Sequence, residues 1–186
     1  RTFSSAASDV YKRQEHILFK IQYPAEFHAQ TAVEAAIKLH ESVASKLEII
    51  DKIVIRTQEP AIRIISKVGK LANAADRDHC IQYMVAVGLI FGDLIAEYYE
   101  DDFHQENQLI DKLRDKMIIE EDKQFSMDYL DPEKRSIANA VQVFFNDGTC
   151  SDDIQIEYPI GHKKRREEGI PLSLIHISEP TRPSSI

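Results

Sequence analysis

Eight residues, MVAVGLIF from Met84 to Phe91, form the most apolar run of the chain. They are too few to cross a bilayer, which takes about 20 apolar residues, and no stretch elsewhere reaches that length. The run must therefore be buried by the rest of the chain, as a core helix over about 77–91. The loop before it, KLANAADRDH, holds Asp76 and Asp78, either of which is expected to cap that helix by accepting orphan backbone N–H groups.

The flanking periodicities say what surrounds it. Ala32, Val33, Ala36, Ile37, Leu39 and Val43 recur at helical spacing, which predicts a helix over about 29–45. IDKIVIRT (50–57) alternates at a period of two and is β-branched, as a half-buried strand requires. Pro60 opens a short helical piece that Gly69 closes, and Leu109, Ile110 and Leu113 predict another helix over 108–117. NAVQVFF (139–145) and DIQIEY (153–158) flank NDGTCSD, whose Asn146, Asp147 and Gly148 suit a hairpin turn. An apolar run ending at Pro24 reads as a strand over 15–23. The order of strand, helix, strand, helices and hairpin predicts an α+β fold, a two-layer sandwich of helices on a mixed or antiparallel sheet.

The 186 residues carry a net charge of −8 and are 43% hydrophobic, enough for one core. The acidity argues against a general nucleic-acid or membrane-surface binder. Two cysteines, Cys80 and Cys150, make neither a disulfide framework nor a four-cysteine metal site, and a reducing, cytoplasmic setting follows most simply. Residues 1–14 and 172–186 resemble translated sequencing adaptor and are set aside; natural disordered tails are the alternative. The domain proper is expected over 15–171, as a segment of a longer protein.

Candidate chemistry is sparse. Lys20, inside ILFKIQ, either aims its ammonium at a carboxylate-rich ligand or snorkels to water. His28, at the mouth of the first helix, is an acid or base near neutral pH, or a turn residue bonded to backbone. Tyr83 is a pocket phenol or a packed core tyrosine, and on a continuous helix it shares a face with His79. The run GHKKRREEGIP (161–171) is a polyanion contact or a solvated face neutralised by its own glutamates. There is no glycine-rich phosphate loop, CxxC, HExxH or GxSxG, and the histidines lack metal-ligand spacing.

ILFKIQYPAEFHAQTAVEAA, NAADRDHCIQYMVAV, YLDPEKRSIANA and EYPIGHKKRREEGIP together resemble the C-terminal half of the MmgE/PrpD family, in its dehydratase branch. The resemblance implies a two-domain enzyme in which this segment is most of the smaller lid, with an N-terminal helical domain missing. It implies a hydro-lyase needing no metal or iron–sulfur cluster, which removes water from the tricarboxylate 2-methylcitrate in propionate breakdown. A homodimer of the full-length protein is possible on the same ground. Tyr83 falls on the family's lid tyrosine, and Lys20 lies one residue from its lysine. The implied roles are catalytic for Tyr83 and His28 and substrate-binding for Lys20 and Arg77. Related isomerases or decarboxylases of the family, or a non-catalytic dimerisation module with the lid fold, are the alternatives.

Overall fold

The computed structural model describes residues 22–168. Lys20, nearly all of the strand expected over 15–23, and the segments 1–14 and 172–186 lie outside the described residues. Within them the α+β expectation holds: helices pack on a four-stranded mixed sheet of order β2-β1-β3-β4. Strand β1 (Ile50–Thr57) is central. It runs parallel to β2 (Met117–Glu121) and antiparallel to β3 (Asn139–Phe145), and β3 pairs antiparallel with the edge strand β4 (Ile154–Ile156). The hairpin joining β3 and β4 turns where expected, with Gly148 at φ 83° and Asp147 accepting from the backbone N–H of Thr149 at 2.9 Å.

The alternating residues of β1 and β3 give the sheet one apolar face. Ile53 lies opposite Val143 and Ile55 opposite Val141, all buried. Helix α1 (Gln30–Val43) covers that face, and α4 (Ile81–Phe91) packs against α1. Every residue of α4 from Ile81 to Leu89 is buried. That is why its sequence shows no polar side: a helix enclosed by neighbours has no face to give to water. The other face of the sheet carries a small satellite, where Phe125 of α7 (Lys123–Leu130) covers Ala138 and Ala140. Arg56 reaches across that face to Asp122 at 3.0 Å and Asp153 at 2.6 Å.

Three local expectations need correction. The helix over 77–91 is broken: α3 (Ala74–Asp78) ends before it, and Cys80 is extended at φ −128°, ψ 104°. His79 therefore shares no face with Tyr83. Neither Asp76 nor Asp78 caps α4. Asn73 caps α3, while the Asp76 carboxylate accepts from Ala72 N–H at 3.0 Å and Lys67 at 3.3 Å. The helix over 108–117 stops early, as α6 (Leu109–Arg114), and Met117 opens β2. Its sequence lacks a strand signature because it is an edge, with Ile118 and both glutamates exposed, and edge strands carry charge instead of apolar alternation.

Between β1 and α3 lies α2 (Glu59–Ile65), and α5 (Asp101–Glu106) precedes α6. The basic run near the C-terminus is not a purely solvated face. Arg165 forms a bidentate pair with Glu34 of α1 at 2.7 and 3.1 Å and donates to the Tyr158 carbonyl at 2.7 Å. Glu34 is only 3% exposed, so this is a buried charge with a built partner.

Two contacts set measurable limits. Gly92 ends α4 at φ 68°, and a Cβ there would sit 2.6 Å from the His40 ring. Gly92→Ala is expected to cost about 1–3 kcal/mol through left-handed strain and that clash, read as a lowered midpoint in urea. Arg165→Ala is expected to cost about 2–4 kcal/mol by leaving Glu34 buried without its main partner. Adding Glu34→Gln should recover much of that loss; a double variant no more stable than Arg165→Ala would contradict the assignment.

Candidate functional site

The turn from Tyr23 into α1 is held by its own side chains. Glu26 accepts from the His28 backbone N–H at 2.7 Å and so caps the 3₁₀ turn Phe27–Ala29 that opens the helix. The same carboxylate meets His28 Nδ1 at 3.0 Å. A carboxylate only accepts, so Nδ1 carries the hydrogen and Nε2 is left as an acceptor. Nε2 faces the Tyr129 hydroxyl at 3.3 Å. Burial by itself would push the Glu26 carboxyl up, but the hydrogen bonds it accepts from the His28 ring and backbone N–H outweigh it and hold the group below the usual carboxylate range.

The helix mouth is tied to the sheet behind this group. Asn139, the first residue of β3, donates to the His28 carbonyl at 2.8 Å and to Thr31 Oγ1 at 2.7 Å. Thr31 in turn donates to the Ile137 carbonyl at 2.6 Å. Gln30 closes the turn by donating to the carbonyls of Tyr23 and Ala25 at 2.9 and 2.8 Å. His28 is thus fixed from both sides.

Arg77 and Tyr83 belong to a second group. Arg77 is 2% exposed. Its Nε donates to the Tyr99 carbonyl at 2.6 Å, one guanidinium nitrogen pairs with Asp101, and another lies 3.4 Å from His104 Nδ1. His104 Nε2 meets Asp111 at 2.9 Å, and Asp111 also pairs with Arg114. This chain of charges walls a cavity of about 560 Å³, joined there by Lys70 and Asp115. Tyr83 is fully buried beside it, its ring centroid 5.4 Å from that of His104. The Tyr83 hydroxyl donates to the Tyr98 carbonyl at 2.6 Å, and burial raises its pKa well above the ordinary tyrosine range.

Between the two groups lies a cavity of about 480 Å³ whose lining includes Pro24 and Ala25 from the turn, Ala74 and Asp78 from α3, and Tyr99. Tyr99 stacks on Tyr83 at 6.1 Å, so it touches both the second group and this cavity. The two segments singled out in sequence, YPAEFH and NAADRDH, therefore meet at one rim. The structure brings Arg77 and Tyr83 together; His28 sits in its own set of contacts with Glu26 and Tyr129. Glu26, Tyr129, His104, Asp111 and Arg114 were not foreseen. Glu26 had a local signal, an acceptor two residues before a helix mouth. The others meet their partners only through the fold.

Among the described residues no cluster of three His, Cys, Asp or Glu side chains is placed to hold a metal ion. None of their helices is long and apolar enough to cross a membrane. Cys80 is buried and Cys150 exposed, both as free thiols.

The family described as MmgE/PrpD C-terminal domain matches residues 23–174. The 2-methylcitrate dehydratase of Escherichia coli (strain K12) is 56% identical over 160 residues, covering 84% of this chain and 33% of that protein. The probable 2-methylcitrate dehydratase of Saccharomyces cerevisiae is 57% identical over 161 residues, 85% of this chain and 31% of that protein. The mitochondrial 2-methylcitrate dehydratase of Yarrowia lipolytica is 54% identical over 163 residues, 86% and 31%. The chain spans about a third of the length of the curated relatives it matches.

Proposed function

We propose, from the premise that this chain belongs to the MmgE/PrpD family and carries its C-terminal domain, that it is part of a 2-methylcitrate dehydratase. The observation that carries this reading is the 56% identity to a named dehydratase over 160 residues. The reaction proposed is loss of water from 2-methylcitrate to give 2-methyl-cis-aconitate, carried out in the cytoplasm. An N-terminal helical domain would complete the cleft, in a protein that pairs as a homodimer. Residues 15–171 would be the lid, with the two terminal segments outside it.

The chemistry asks for two things. Removing a proton beside a carboxylate builds negative charge, which cationic groups nearby stabilise, and the departing hydroxyl needs a proton. Arg77 is suited to the first: its guanidinium is held rigid by Tyr99 and Asp101 at the wall of a polar cavity. We assign it, with Lys20, to the substrate carboxylates. His28, with an oriented ring, is assigned to proton movement. Tyr83 would reach substrate only by releasing the Tyr98 carbonyl, and we assign it to positioning of the Tyr98–Tyr99 segment that anchors Arg77.

The test uses a full-length protein carrying this segment, incubated with 2-methylcitrate and followed by the ultraviolet absorbance of the conjugated product. Turnover is expected, and its absence in a folded preparation would sink the proposal. Tyr83→Phe is expected to lower turnover by roughly 10²-fold by loosening the Arg77 anchor. Lys20→Ala is expected mainly to raise KM, because a carboxylate partner is lost in ground and transition state alike.

A further inference from the structure

His28 carries the proton in this reading, yet it is not the group that a ligand would meet. Its side chain is 9% exposed. Glu26 holds one ring nitrogen at 3.0 Å and the Tyr129 hydroxyl lies 3.3 Å from the other. The two rings are tilted at 39° with centroids 5.7 Å apart, so they meet through this polar contact instead of stacking. Phe27 packs edge-on against the imidazole, its centroid 5.3 Å away. Each imidazole nitrogen is thus engaged by a side chain of the protein. Tyr129, by contrast, is part-exposed at the C-terminal end of α7.

The geometry points to Tyr129 as a catalytic hydroxyl of this site, with His28 and Glu26 as the positioning residues that draw its proton, an inference that rests on the dehydratase reading. The arrangement is that of an activated hydroxyl: acceptor nitrogen on the O–H, carboxylate on the far N–H. As the substrate C–H bond breaks, its proton goes to the Tyr129 oxygen while the Tyr129 proton passes to His28 Nε2. The carbon's electron pair forms the double bond as the C–O bond breaks. The hydroxide that leaves takes a proton from Tyr129, and the imidazolium returns its own to the phenol oxygen. Water is formed and the three side chains end as they began.

Glu26 is the charge that makes the imidazolium tolerable, and it stays ionised in its buried place because His28 hydrogen-bonds it. The groups facing this pair are Tyr129 from α7 and, acting on Glu26 through space, His79 after α3. A contact of 3.3 Å is long for an O–H donor, as catalytic hydrogen bonds are before substrate closes the site.

The experiment compares Tyr129→Phe and Glu26→Gln with the parent in the full-length protein, using 2-methylcitrate and recording thermal midpoints. Tyr129→Phe should lower kcat about 10²-fold with KM within about threefold and the midpoint unchanged. Glu26→Gln keeps an acceptor for Nδ1 but removes the charge that balances the imidazolium, so kcat should fall at least about tenfold with KM within about threefold and the midpoint nearly unchanged. Turnover of Tyr129→Phe within threefold of the parent would overturn the role while leaving the dehydratase reading intact. If Tyr129→Phe unfolds, turnover of Glu26→Gln within threefold of the parent overturns it instead. A folded parent that leaves 2-methylcitrate untouched overturns the reading and this role with it.

Discussion

The close approach of α1 and α4 is the constraint on which the rest depends. A Cβ at Gly88 would lie 3.0 Å from the Ala36 Cβ, so the helices touch nearly backbone to backbone. Small residues at the contact, Ala36 and Gly88, make this possible. Such packing leaves little slack, since interiors at crystal-like density transmit displacement instead of absorbing it. The position of α1 against α4 fixes the helix mouth, where His28 sits, relative to Cys80 and the break before α4. The Asn139–Thr31 contacts then tie the same mouth to β3. Two rigid attachments, one apolar and one polar, hold the site's turn.

How much of this was legible in sequence depends on the range of the signal. The α1 helix, β1 and the β3–β4 hairpin were readable because period and turn chemistry are local. The enclosed α4 was readable by its apolarity, but its start was not. The residues that break it, His79 and Cys80, are neither Gly nor Pro, so no local breaker marks the position. The edge strand β2 had too little apolar alternation to announce itself. For the site, Tyr83, His28 and Arg77 were singled out, while Tyr129 stands 101 positions from His28. No spacing rule connects residues so distant. Tyr83 is fully buried, with its hydroxyl donated to the Tyr98 carbonyl.

The charges grouped around Arg77 meet their partners on or beside short helices. Arg77 sits at the end of α3 and finds its partners around the start of α5, and Asp111 and Arg114 lie on α6. Helix ends leave backbone groups unpaired, and they attract such side chains. The charged cavity is therefore a by-product of short helices meeting, which a sheet or a long helix would not have supplied. Function would draw on a feature that packing had to satisfy in any case.

The pair between Glu34 and Arg165 joins residues 131 positions apart. A ribosome releases α1 long before it makes Arg165, so during synthesis the first helix waits with an acidic group that cannot be buried comfortably. Docking of α1 is then disfavoured until the last part of the segment emerges, apart from what Lys38 at 2.9 Å can offset. The central strand is in the same position, because β3 is made more than eighty residues after β1 begins. The order of manufacture thus delays closure of this core, and the turn around Arg165 acts as the latch that allows α1 to settle.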